Sequence, residues 1–323
     1  MPRKNPAPPK PKAKAKAVAA TTPRLAKKLM DAASAGRLDE VTTMLERGCD
    51  PKVLYQESSP LAWAAWKGHV DIVKALLAKG ADPNAGKSYP CAGGAMHAAA
   101  DRGSVEILEL LVAAGGDVNI AGQAPDVLPL FRAASHGRAE AVRYLLDKDA
   151  DPHVVAKDRT AMHAAAEGGS PEILELFHAR GVAAAGGWRH PLHVALRAGK
   201  PESVQWLLAH GVEANQRDER YPGAPTALHI AAEQEEGGDA LIDMLVAAGA
   251  TVDARALADD EAPQGLTPLH VAVKRGHVAC VERLLHHGAD RTGAAEIAQR
   301  HIDTHPPETW GDDHVRILAL LRG

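Results

Sequence analysis

One six-residue phrase, Thr267-Pro268-Leu269-His270-Val271-Ala272, constrains the fold more than any other feature, because the chain repeats it. Close copies are Thr226-Ala227-Leu228-His229-Ile230-Ala231, Thr160-Ala161-Met162-His163-Ala164-Ala165 and Pro191-Leu192-His193-Val194-Ala195. Weaker copies are Ala95-Met96-His97-Ala98-Ala99, Pro129-Leu130-Phe131-Arg132-Ala133 and Pro60-Leu61-Ala62-Trp63-Ala64. The residue in the histidine place falls at 62, 97, 131, 163, 193, 229 and 270, with spacings of 35, 34, 32, 30, 36 and 41. Self-similarity at a period of roughly 20–50 residues marks an array of stacked units, none of which buries a core alone. Such a chain grows by stacking, so its 323 residues need not divide into ordinary domains. The functional question becomes which partner is held rather than which reaction is run.

Each unit has a physical reading. Thr or Ser before the phrase caps a helix N-terminus, and Pro in the first helical position sacrifices no hydrogen-bond donor. Leu and Ala form the packed face of a short first helix, which Gly68, Gly103, Gly137, Gly199 or Gly276 ends. A second helix follows with apolar residues at helical spacing, such as Ile72, Val73, Leu76 and Leu77. Gly80, Gly115, Gly211, Gly249 and Gly288 stop these second helices, and an extended turn such as Ala81-Asp82-Pro83-Asn84 leads to the next unit. Arg132 occupies a place that is apolar in the other units, so it needs a local partner or an outward exit.

This pattern resembles the ankyrin repeat family across roughly residues 24–323. The fullest copy runs from Gly265-Leu266-Thr267-Pro268-Leu269-His270 through Gly276-His277 and Leu284-Leu285 to Gly288-Ala289-Asp290. The resemblance implies an all-α solenoid of about eight helix-turn-helix repeats plus a C-terminal cap, with hairpin-like turns and a concave face. The first repeat, about 24–53, lacks the turn phrase, and the cap helices are expected near 293–302 and 313–321. Repeat seven carries the insertion Glu235-Glu236-Gly237-Gly238, and the loops before repeats seven and eight are long. The family role of the phrase histidine is to hydrogen-bond the turn backbone and tie neighbouring repeats. That assigns a structural role to His97, His163, His193, His229 and His270.

Charge divides the chain. Nine of the 37 Lys/Arg lie in residues 1–28 and all 41 Asp/Glu lie beyond, so the remainder carries a net −13. Residues 1–22 are rich in Lys, Pro and Ala and are expected to be a disordered tail, leaving 23–323 as the repeat domain. A basic tail of this kind is an alternative site of function, as a tether to nucleic acid or an anionic surface. It has no interleaved aromatics for base stacking. Cys49, Cys91 and Cys280 form no pattern, which suggests a reducing, cytoplasmic setting. No apolar run reaches the ~18 residues of a membrane helix, and the basic N-terminus lacks the apolar stretch of a secretory signal. The Ala-, Gly- and Arg-rich usage resembles that of proteins from high-GC bacteria.

Motifs for catalysis are weak. Ala81-Asp82-Pro83-Asn84-Ala85-Gly86-Lys87-Ser88 fits a relaxed phosphate-loop pattern, but it falls in a turn between repeats rather than between a strand and a helix. His286, His287, His301, His305 and His314 are dense without metal-site spacing, so no metal is expected. No nucleophile elbow, dinucleotide fingerprint or kinase signature occurs, and neither an enzyme activity nor a cofactor is expected. The acidic pairs Asp259-Asp260 and Asp312-Asp313 read as solvated loops.

The scarce aromatics carry more. Tyr55, Trp66, Tyr89, Trp188 and Tyr221 fall in loops or in the exposed place before a helix-ending glycine, where they would serve as interface anchors. Trp63 occupies a usually packed place. The exposed first-helix places read Trp66/Lys67, Asp101/Arg102, Ser135/His136, Glu167/Gly168, Arg197/Ala198, Glu233/Gln234 and Lys274/Arg275. A mixed stripe of this kind suits a protein partner better than a uniform polyanion. The expected contact residues are Tyr55, Trp66, Lys67, Tyr89, Asp101, Arg102, Trp188 and Tyr221, centred on repeats two and three, with the long loops before repeats seven and eight as a second candidate. The expected molecule is a monomeric adaptor, scaffold or inhibitor.

Overall fold

The computed structural model describes residues 22–86, 93–124, 127–157, 159–185, 190–219, 221, 223–257, 265–304 and 312–323. Among these the chain forms 18 helices and no extended strand, only isolated bridges such as Tyr55 with Ser58 and Ala156 with Arg159. The first helices of successive units are α1 (Pro23–Ser34), α3 (Pro60–Lys67), α5 (Ala95–Arg102), α7 (Pro129–Ser135), α9 (Ala161–Gly168), α11 (Pro191–Arg197), α13 (Ala227–Ala232), α15 (Pro268–Arg275) and α17 (Ala294–Thr304). The second helices are α2 (Leu38–Glu46), α4 (Val70–Ala78), α6 (Val105–Ala113), α8 (Ala139–Asp147), α10 (Pro171–His178), α12 (Pro201–Ala209), α14 (Gly238–Ala247), α16 (Val278–His286) and α18 (Asp313–Arg322). Each first helix packs on the next first helix and on its own second helix, and the second helices form a parallel row. The result is an ankyrin-type solenoid of eight repeats closed by the α17–α18 pair.

Local chemistry explains the elements. Ser59 accepts from the Ala62 amide and caps α3, with Pro60 in the first turn. Gly68, Gly103 and Gly276 close their helices in the left-handed conformation, at φ of 81°, 74° and 80°. Alanine lets the first helices approach closely: Ala98, Ala99 and Ala100 are all fully buried, as are Ala164, Ala165 and Ala166. In repeat seven the insertion turns at Gly237, left-handed at φ 73°, and its last residue, Gly238, starts α14. A side chain at Gly238 would meet the Ala231 carbonyl and the Cys280 sulfur, so this crossing requires glycine.

The turns form a second spine. Asn84 donates to the Gly115 carbonyl and accepts from the Asp117 amide, at 3.1 and 2.8 Å. Asn119 repeats the pattern with Asp149 and Asp151, and Asn215 with Gly249 and Thr251. The described part of the phosphate-loop-like string, Ala81 to Gly86, belongs to this turn spine, while Lys87 and Ser88 lie outside the described residues. Residues 1–21, Tyr89, Cys91, Trp188, Asp259-Asp260 and His305 also lie outside them. No helix of the described residues is long and apolar enough to cross a membrane.

Candidate functional site

Three of the phrase histidines, His97, His229 and His270, join one repeat to the next. His270 Nδ1 accepts from the Thr267 amide at 3.1 Å, and Nε2 donates to the Thr292 carbonyl at 2.9 Å. His229 does the same with the Thr226 amide and the Leu266 carbonyl, at 3.2 and 2.9 Å. His163 accepts from the Thr160 amide at 3.2 Å. His97 has a glycine cap, and its Nε2 donates to the Val127 carbonyl at 3.0 Å. A return stitch comes from the start of the second helices. His69 reaches the Ser34 carbonyl, Arg138 the Asp101 carbonyl and His277 the Ala232 carbonyl, at 3.2, 3.0 and 3.1 Å. Burial holds the His97 and His229 pKa values below the usual imidazole range, against the opposing pull of their carbonyl acceptors.

His193 departs from this scheme. Its helix is capped by His190 in place of Thr, so no cap hydroxyl meets its Nδ1. The ring is 2% exposed, and the Gln216 backbone lies beside it and opposes the effect of burial on its pKa. Burial pushes its pKa down to about 4, so the imidazole is neutral near pH 7.

The exposed stripe is realised unevenly. Trp66 is half-buried, stands edge-on to Trp63 at 5.7 Å between ring centroids, and carries the Lys67 ammonium 4.5 Å above its ring. Trp63 is likewise half-buried rather than sunk in the core. Tyr55 sits half-buried in its turn, bridged to Ser58, and Arg102 is exposed at the end of α5. Asp101 is corrected: expected on the exposed stripe, it is 7% exposed and turned into the stack. Its carboxylate takes a bidentate ion pair from Arg132 on α7, at 2.5 Å for both bonds. The polar residue in an apolar place on α7 thus draws Asp101 inward.

Further along, the stripe carries paired charges. Arg159 meets Glu167 at 2.5 Å, and Arg275 meets Glu233 at 3.4 Å. The Arg197 guanidinium carbon lies over the Tyr221 ring, 3.7 Å from its centroid. Its nearest carboxylates, Asp218 and Glu233, are each 4.0 Å away, beyond hydrogen-bonding distance. The loop presenting Tyr221 is well anchored. Arg217 donates to the Ala224 and Arg255 carbonyls at 3.2 and 2.7 Å, and Arg255 donates to the Gly265 carbonyl at 3.2 Å. The Leu257 amide donates to the Gly223 carbonyl at 2.6 Å, which joins the two long loops.

Two recesses of about 280 Å³ each open to solvent on either side of this stack. The polar one is lined by Arg159, Glu167, His193, Arg197, Asp218 and Tyr221, among others. The apolar one shares Arg197 and Tyr221 and adds Pro225, Ala256, Leu257, Leu266 and Val271. Leu257 is 57% exposed, a large apolar side chain in water. Asp218 gave no signal in the sequence, because a loop carboxylate is normally solvated; here it is 2% exposed. Trp206 was also missed. It stacks on His210 at 3.7 Å and donates to Glu175 at 3.2 Å on the second-helix side. Among the described residues no group of three or more His, Cys, Asp or Glu is placed to hold a metal ion.

Comparison with known proteins gives the following. The family described as "Ankyrin repeats (3 copies)" matches residues 26–87, 85–156, 130–218 and 192–293. The zebrafish (Danio rerio) ankyrin repeat and SOCS box protein 11 is 34% identical over 114 residues, covering 35% of this chain and 34% of the relative. The human ankyrin repeat and SOCS box protein 18 is 32% identical over 137 residues, covering 39% and 27%. The chicken (Gallus gallus) nuclear factor NF-kappa-B p105 subunit is 28% identical over 169 residues, covering 50% and 16%. The chain therefore spans about a third or less of these curated relatives. The crystal structure of the human ASB11 ankyrin repeat domain aligns with TM-score 0.57 and 24% identity, over 68% of this chain and 96% of that one. These relatives are vertebrate proteins, so the bacterial source suggested by composition is not borne out.

Proposed function

The chain belongs to the ankyrin-repeat family, and from that premise we propose that it is a non-catalytic recognition module that holds a protein partner against its concave first-helix face and turn tips. Ankyrin repeats are generally protein–protein interaction modules. The observation that carries the reading is the Arg197–Tyr221 stack, standing between two open recesses on loops braced by Arg217 and Arg255. Such side chains are fixed before a partner arrives, so little ordering entropy is lost on contact. A stable interface covers about 800 Å² per partner, which a few adjacent repeats supply. The footprint in this reading centres on Tyr221, Arg197 and Leu257. The Trp66, Lys67 and Arg102 surface, with Tyr55 in its turn, is a second patch of the same kind.

The module acts as an adaptor, scaffold or inhibitor, as a monomer in the reducing cytoplasm. The basic tail is then an accessory, and the repeats carry specificity. The test is retention of a discrete protein by the purified chain, compared with the Tyr221→Ala and Trp66→Ala variants. Loss of retention on either substitution, with an unchanged melting temperature, supports the reading. Retention unaltered by both would remove these surfaces from it.

A further inference from the structure

Resting on that reading, we propose that the Trp66, Lys67 and Arg102 surface takes a short, extended acidic segment of the partner. Carboxylates of that segment accept from Lys67 and Arg102. An apolar side chain beside them covers the Trp63 and Trp66 rings.

The inward turn of Asp101 makes this surface cationic. Helices α3, α5 and α7 contain one carboxylate between them, Asp101, and it is 7% exposed and held by Arg132. The stripe across these helices then reads Trp66/Lys67, Arg102 and Ser135/His136, with no exposed acidic group set against the cations. Arg138, exposed at the start of α8, adds its charge beside Arg102: its side chain lies against Gly103, and its Nε donates to the Asp101 carbonyl. Asp71, Glu106 and Glu140 belong to the second helices, where Asp71 and Glu106 both act on Lys74 and Glu140 pairs with Arg143. Beyond α7 the stripe changes character, with Arg159 paired to Glu167 and Arg275 to Glu233.

Lys67 and Arg102 face water without a carboxylate. Lys67 lies over the Trp66 ring, and Arg102 makes no ion pair among the described residues. They hold the same place, before the closing glycine, on helices that pack together. Packed helices stand about 8–10 Å apart, which an extended segment spans in about three residues. A guanidinium takes a carboxylate through two parallel N–H bonds, and an ammonium takes one as a point charge. Trp63 and Trp66 meet edge to face at 5.7 Å, each half-buried, and their remaining exposed area is what an aliphatic or aromatic side chain would cover. A nucleic acid strand would carry its charge past this surface onto a body of net −13, whereas a short acidic segment ends within it.

The experiment is selection of a displayed random-peptide library on the immobilised full chain. Affinities of the enriched peptides, made synthetically, are then measured against the wild type and the Lys67→Glu, Arg102→Glu, Trp66→Ala and Tyr221→Ala variants. Arg316→Glu on α18 is the control for net charge, and each variant is checked by thermal unfolding. The proposal expects a consensus with at least a pair of Asp or Glu beside an aliphatic or aromatic residue. Affinity should fall about tenfold or more for Lys67→Glu, Arg102→Glu and Trp66→Ala and stay level for Arg316→Glu. The two charge reversals lie at exposed positions, so they decide the outcome if Trp66→Ala loses stability. A neutral or basic consensus overturns the proposal, and so do acidic peptides indifferent to Lys67→Glu and Arg102→Glu. An equal loss for Arg316→Glu would reduce the effect to net charge and overturns it as well. Peptides that respond to Tyr221→Ala alone overturn it while leaving the recognition reading in place. A selection that enriches nothing overturns it too, and together with a chain that retains no protein takes both away.

Discussion

Asp101 and Arg132 show how one residue out of pattern sets another. Arg132 replaces an aliphatic residue on α7, and its guanidinium is two-thirds covered, with 31% of the side chain exposed. Asp101→Ala would leave that cation half-buried without its bidentate partner, at a cost of about 2 kcal/mol. Chemical denaturation should show that loss, and Arg132→Leu in the same chain should restore most of it. Equal destabilisation in the single and double variants would mean that the pair is incidental. The need for a partner was legible at Arg132 from the repeat alignment. Its identity was not, because Asp101 lies one repeat away in a place that is solvated elsewhere. His193 gives a second residue-scale prediction. Between pH 6.5 and about 4 the unfolded chain binds a proton at this ring that the folded chain does not. Stability from this site is therefore complete above pH 6.5 and is lost as the pH falls toward 4, by about 3 kcal/mol at most. His97 and His229 are shifted in the same direction and add to the loss. His193→Asn should flatten the pH dependence of the melting temperature, and an unchanged slope would contradict this account.

At the scale of elements, the repeats are joined by backbone proximity as much as by side chains. Gly168 ends α9 against α7, and a Cβ there would overlap the Ala134 carbonyl oxygen, which is backbone and has no room to swing aside. Gly168→Ala should therefore separate the two helices and cost about 1–3 kcal/mol. Its denaturation midpoint decides: a stability equal to the wild type would mean that α9 shifts freely. The helix pairs, their glycine stops and the two cap helices were all legible from the period of the phrase. The cap helices, expected near 293–302 and 313–321, form over Ala294–Thr304 and Asp313–Arg322. The Arg197–Tyr221 stack was legible only in its parts. Arg197 was seen on the stripe and Tyr221 in the loop, but their contact depends on the loop's return through Arg217 and Arg255, which no periodicity encodes.

Across the whole molecule, the unbroken stack of first helices converts a repeated phrase into one long face whose exposed side chains differ from unit to unit. Net charge divides that body from the basic N-terminal segment, nine Lys/Arg in residues 1–28 against a remainder of net −13. The account assigns recognition to the repeats, so deletion of residues 1–22 should leave both the melting temperature and partner binding in place. The most direct measurement is a pull-down from native lysate by the full chain, the chain without residues 1–22, and the Tyr221→Ala variant, eluted over a salt series and read by mass spectrometry. The account predicts a discrete protein held by the first two and lost from the third. Nucleic acid, or a diffuse set of acidic proteins, released with the tail or at moderate salt would contradict it and leave the repeats as scaffold alone.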